Sequence, residues 1–184
     1  MTMKKPQTDF DYMQNLVEDF FKRASIKSAL RVIANQSITG WEVWFQIEFA
    51  RFLTEHESEP EWLREYPLEY DWRKEKHRSY FKPDFIIRKK GWALDRYIAL
   101  EMKQHAQTGN CLSNMAADLV KVARIRESQL NVRSIWALGV FPTDEDSNLE
   151  EMIQTKLEAI GQSYYSDRVL AARINKTPFS YALF

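Results

Sequence analysis

The chain is short of the residues that most often betray a protein's class. It has one cysteine, Cys111, in 184 residues. That excludes an internal disulfide and a cysteine zinc knuckle, and it fits a reducing compartment. Five glycines and six prolines are too few for a disordered or linker-rich chain. Lys plus Arg and Asp plus Glu both number 26, so the formal net charge is zero. Nucleic-acid binding through overall charge is thereby excluded, and any such contact has to rest on a local basic patch. No apolar run is long enough for a membrane span. Residues 1–12 are polar and mixed in charge, without the apolar segment of a signal peptide. The expectation is a cytoplasmic protein with no membrane partner.

What is present is core material. The composition is 45% hydrophobic and 14% aromatic, enough for one domain over residues 1–184. Helical spacing of Tyr12, Met13, Leu16, Val17, Phe20 and Phe21 predicts a helix from about residue 10, continued through Ile26 to Ile33 to residue 35. Gln36 to Gly40 break it, with Thr39 as a candidate N-cap. Residues 41–55 predict a second helix with Trp41, Trp44, Phe45, Phe49 and Phe52 in one apolar stripe. His56 to Glu61 reads as a polar turn, residues 66–73 as a strand, and residues 74–78 as a charged loop. Residues 80–88 and 96–103 form the two strands of a hairpin that turns over Lys89 to Asp95. Residues 112–129 read as a helix and residues 147–160 as another. Between them, residues 133–141 are almost continuously apolar, as in a strand buried on both faces. The tail from Tyr164 alternates and adds a strand or two. The order predicts an α/β domain with a mixed sheet.

The chemistry concentrates on the hairpin. Side chains alternate along a strand, so Glu101 and Lys103 share one face while Leu100 and Met102 point to the other. A register that sets Asp84 opposite Glu101 centres the turn on Trp92-Ala93, inside the predicted turn region. Two facing carboxylates repel unless something positive lies between them. A hard divalent ion such as Mg²⁺, with Mn²⁺ as a substitute, takes oxygen ligands and keeps several waters. The Met102 carbonyl offers one more oxygen. Lys103 is placed to orient or deprotonate a water, or to steady charge on a phosphate. Glu48 falls within the aromatic stripe of the second helix, where an acid is costly without a partner. It either reaches the same cation or pairs with an arginine, and Glu42 is the substitute for the first role.

Pro83-Asp84 followed by Glu101-Met102-Lys103, with Glu48 on the preceding helix, resembles the PD-(D/E)XK nuclease superfamily. The resemblance covers about residues 41–141. It implies a restriction-endonuclease-like αβββαβ core whose mixed central sheet is flanked by helices, with N-terminal helices and a C-terminal helix and strands as additions. It also implies metal-dependent cleavage of phosphodiester bonds, usually in DNA. Asp84 and Glu101 would hold metal, Lys103 would be catalytic, Glu48 would be the accessory acid, and Gln104 would line the site. Lys74, Lys76, His77, Arg78 and Lys82 form a basic cluster just before the site, which either grips a nucleic-acid backbone or is a solvated loop. Asp118 and Lys121 form a local pair or face the groove. Double-strand cleavage would need two sites, from a homodimer or by sequential nicking, and the zero net charge suits a nuclease brought to its substrate by a recruiting protein partner. The rival readings are a non-catalytic protein- or nucleic-acid-binding module on the same fold, and an unrelated α/β protein whose two acids sit in surface salt bridges.

Overall fold

The computed structural model describes residues 5–69, 80–94, 96–121 and 131–184. The predicted basic loop at 74–78, the second half of the strand predicted at 66–73 and the end of the helix predicted at 112–129 lie outside the described residues.

The N-terminal apolar pattern forms two helices, α1 (Lys5–Lys22) and α2 (Ala24–Asn35). The chain turns at Arg23, whose backbone is extended. A single rod cannot aim both apolar faces at one core, and this one-residue break re-aims the second. Met13, Val17 and Phe20 of α1 and Ile26 and Leu30 of α2 are then all buried. Helix α3 (Glu42–Glu55) follows, with Trp41 rather than Thr39 at its N-cap position.

Six strands make the central sheet, in the order β1-β4-β5-β6-β8-β7. They are β1 (Glu61–Arg64), β4 (Phe85–Arg88), β5 (Arg96–Gln104), β6 (Asn131–Pro142), β7 (Leu170–Arg173) and β8 (Phe179–Leu183). β5 and β6 run parallel and every other neighbouring pair runs antiparallel. Two short strands, β2 (Leu68–Glu69) and β3 (Tyr80–Phe81), pair separately. The expected strand over 80–88 is therefore split. Pro83 lacks the N–H that a ladder needs, and β4 begins only after it. The turn expected at 56–61 is present, closed by the Glu59 N–H on the His56 carbonyl, and the unexpected strand β1 begins at its last residue. Its Trp62 packs under Phe85 with ring centroids 5.9 Å apart.

Helices cover both faces. Phe85, Ile87, Ile98, Leu100, Met102, Trp136, Leu138 and Val140 join α1, α2 and α3 in one aromatic-rich core. Ala137, Phe141 and Ala182 face α4 (Thr108–Leu119) and α5 (Leu149–Ala159) in a second core. The near-continuous apolar run of β6 thus feeds two cores from alternate residues, as a central strand must. Gly139 of β6 permits the close approach of α4. A Cβ there would lie 2.2 Å from Met115 Sδ and 3.0 Å from Cys111 Sγ. Among the described residues, no helix is long and apolar enough to cross a membrane.

Candidate functional site

The β4–β5 register decides what the hairpin delivers. Phe85 pairs with Leu100, Ile86 with Ala99 and Ile87 with Ile98. One step further sets Asp84 opposite Glu101 and Pro83 opposite Met102, which is the register expected from the turn. Because Pro83 ends the regular ladder, the Asp84 side chain takes over a bond at its end. Its Oδ2 accepts the Met102 N–H at 2.7 Å. The N–H and C=O of one strand residue point to the same side. The Met102 carbonyl therefore faces the gap that Asp84 borders, while its side chain is fully buried on the opposite face of the sheet.

Glu101 and Lys103 project towards α4, and there they meet Asp118. Lys103 Nζ lies 3.0 Å from Asp118 Oδ2 and 3.4 Å from Glu101 Oε2. Lys121 pairs with the other oxygen of Asp118, and its Nζ sits 5.8 Å from the centroid of the Phe81 ring. Glu101 and Asp118 are only 4% and 5% exposed. Glu101 Oε1 is buried without a hydrogen-bond partner among the described residues, an expensive state for a carboxylate.

The electrostatics follow from this crowding. Burial, then the neighbouring charges of Asp84 and Asp118, push the Glu101 carboxyl up to about 8. Burial also raises Asp84, partly offset by the Met102 N–H. For Lys103, burial alone would favour the neutral amine. The hydrogen bond to Asp118 and the negative field of Asp118, Glu101 and Asp84 outweigh it, so its proton is held above the ordinary lysine range.

Glu48 is elsewhere. Its Oε2 pairs with Arg51 at 2.9 Å along its own helix. The reason is the true position of the buried arc. Gln46 and Leu53 are buried along with Phe45, Phe49 and Phe52. At 100° per residue this turns the arc towards Glu42 and leaves Glu48 at its margin. Glu42 Oε2 accepts the Gln104 N–H at 3.4 Å, and its charge contributes to raising both Asp84 and buried Cys111. Helix α3 thus offers Glu42 to this end of the sheet. The signal was present in the sequence as Gln46 and Leu53, which extend the stripe on one side only. Asp118 belongs to the cluster itself, and no helical pattern reveals this, because its partner is a lysine on a strand.

Of the predicted nucleic-acid contacts, Lys82 is exposed beside Pro83 and Gln104 is half-buried at the end of β5. Lys76 and Arg78, with Lys74 and His77, lie outside the described residues. The hairpin-tip lysines are engaged, Lys90 with Glu59 and Lys89 against the Tyr12 ring. Trp41 and Trp136 are core residues.

Among the described residues, no three His, Cys, Asp or Glu side chains form a ready-made metal cage. Mg²⁺ does not need one, since it usually binds through one or two carboxylates and retains waters. Asp84, Glu101 with its unsatisfied Oε1, and the Met102 carbonyl supply a donor set of that hard-oxygen kind. Comparison with protein-family models, curated proteins and solved structures gave no match to the chain.

Proposed function

We propose that the protein is a metal-dependent nuclease that hydrolyses phosphodiester bonds, with DNA as its substrate. In this reading α3, β1, β4, β5, α4 and β6 are its restriction-endonuclease-like αβββαβ core. The observation that carries the proposal is the buried cluster at the carboxyl end of β5. Asp84, Glu101 and Asp118 converge there with too little positive charge among the described residues to satisfy Glu101 Oε1.

Asp84, Glu101 and the Met102 carbonyl would hold a Mg²⁺ or Mn²⁺ ion, which when bound polarises a phosphoryl oxygen and acidifies water. Lys103 acts as a fixed positive charge. Its raised proton affinity argues against service as a general base and for steadying negative charge on the phosphate as the attacking oxygen adds. Asp118 holds the Lys103 ammonium in position. Glu42, the helix acid nearest this end of the sheet, takes the accessory place expected of Glu48.

The test is nicking of supercoiled plasmid by purified protein with Mg²⁺ or Mn²⁺ against EDTA. Wild type should nick only with metal. Asp84→Asn, Glu101→Gln and Lys103→Ala should each lose at least about a hundredfold in rate. Equal behaviour of wild type and variants would refute the reading. It would leave the Asp118–Lys103–Glu101 chain as the ionic brace of a non-catalytic module.

A further inference from the structure

Around the end of β5 from the acid cluster lies a cleft. It has a volume of about 550 Å³ and opens between α2, the 37–41 loop and the ends of β5, β6 and β8. That volume is in the range of small-molecule sites. Crevices at the carboxyl ends of parallel strands are also where open α/β sheets bind ligands.

We propose that this cleft is a nucleobase subsite. It seats one base of the strand held for cutting, with Gln104 reading the base edge. The inference rests on the nuclease reading and deepens it.

Three observations select a base. The first is shape and polarity. The walls are apolar, with Ile33, Ile38, Trp41, Pro142 and Phe179 among them. Such walls suit the flat face of a base, which stacks irrespective of sequence. The second is charge. No lysine, arginine, aspartate or glutamate is among the described residues lining the cleft. A free nucleotide or other anion would find no counter-charge, and Glu42 stands beside Trp41 at its border. The occupant is therefore neutral, and its phosphate lies outside. The third is continuity. Gln104, His105 and Ala106 line the cleft and directly follow Lys103 in the chain. At about 3.3 Å per strand residue, Gln104 and His105 stand within one nucleotide's reach of the Lys103 position.

The polar groups complete the fit. The Gln104 backbone N–H goes to Glu42, but its side-chain amide has no hydrogen bond to the described residues. An amide presents a donor and an acceptor side by side, the pattern that matches adenine N7 and N6. His105 Nδ1 accepts the Gln107 N–H at 2.9 Å. That places the proton of the neutral ring on Nε2, a second donor at the lining.

The experiment is fluorescence anisotropy of a short labelled single-stranded oligodeoxynucleotide in EDTA, where no cutting occurs. A companion series moves one abasic residue along the strand. One position in the series should cost about tenfold or more in affinity. Ala106→Trp, a substitution at an exposed lining residue, fills the cleft without touching the core. It should weaken the intact strand by a similar factor and abolish the penalty at that abasic position. Gln104→Ala should flatten a preference for adenine there. If no single position matters, or if Ala106→Trp keeps the full penalty, the inference is overturned, and the cleft belongs to another apolar ligand. The two readings fail separately. A chain that nicks plasmid without base-dependent binding overturns only the subsite. One that shows the base dependence without nicking overturns the nuclease and leaves the cleft as a base subsite of a non-catalytic binding module.

Discussion

At the scale of single residues, Glu101 carries the heaviest electrostatic load. Its folded-state value of about 8 lies above its ordinary 4.5, so the folded protein binds this proton more tightly than the unfolded chain does. The resulting stabilisation is fully present below about pH 4.5 and is lost as pH rises through about 8. In EDTA the thermal midpoint should fall across that interval, and Glu101→Gln should flatten the fall. A cation bound at Glu101 has to displace the proton, so stabilisation by Mg²⁺ should be larger above pH 8 than below pH 6. The helix acids make a second residue-level contrast. Glu48→Gln removes a partly exposed pair with Arg51 and should change stability by no more than about 0.5 kcal/mol, leaving plasmid nicking intact. Glu42→Gln should slow nicking by about tenfold or more, as expected for a group whose field reaches Asp84.

At the scale of elements, the close packing of α4 on β6 sets where Asp118 meets Lys103. Gly139→Ala forces Met115 aside in a buried layer and should destabilise by about 1–3 kcal/mol. For a chain of this size that is about 2–4 °C of thermal midpoint per kcal/mol, measurable by scanning calorimetry. The larger elements were legible because their cause is local. The aromatic periodicity of α1 and α3, the near-continuous apolar run of β6 and the hairpin register all follow from patterns within a few residues. Strand β1 was not legible. Glu61-Trp-Leu-Arg has no alternation of its own, and it becomes a strand only because β4 offers it an edge. The site divides the same way. Asp84, Glu101 and Lys103 could be aligned from pairing rules, whereas choosing Glu42 over Glu48 required the position of the whole buried arc. The contact of Asp118 with Lys103 is a tertiary fact with no sequence period.

At the scale of the molecule, the described residues bring together one acid cluster in each chain, so under the nuclease reading one chain would cut one strand at a time. Plasmid should pass through the nicked circle before linear product appears, with the two forms separated on a gel. Simultaneous appearance of both would mean that two copies act together. The fold also fastens the hairpin that bears the acids. Arg133 of β6 bonds Asp9 of α1 at 2.7 Å and lies 4.1 Å over the Trp92 ring in the hairpin turn. Strand β5 is hydrogen-bonded to β6 along its length, and on its other flank to β4 and the Asp84 carboxylate. Amides from Ile98 to Met102 can therefore meet solvent only when the sheet itself comes apart. Deuterium uptake there times the opening of the entire protein, and an ion seated at Glu101 would slow the exchange clock of the whole sheet rather than of one local patch.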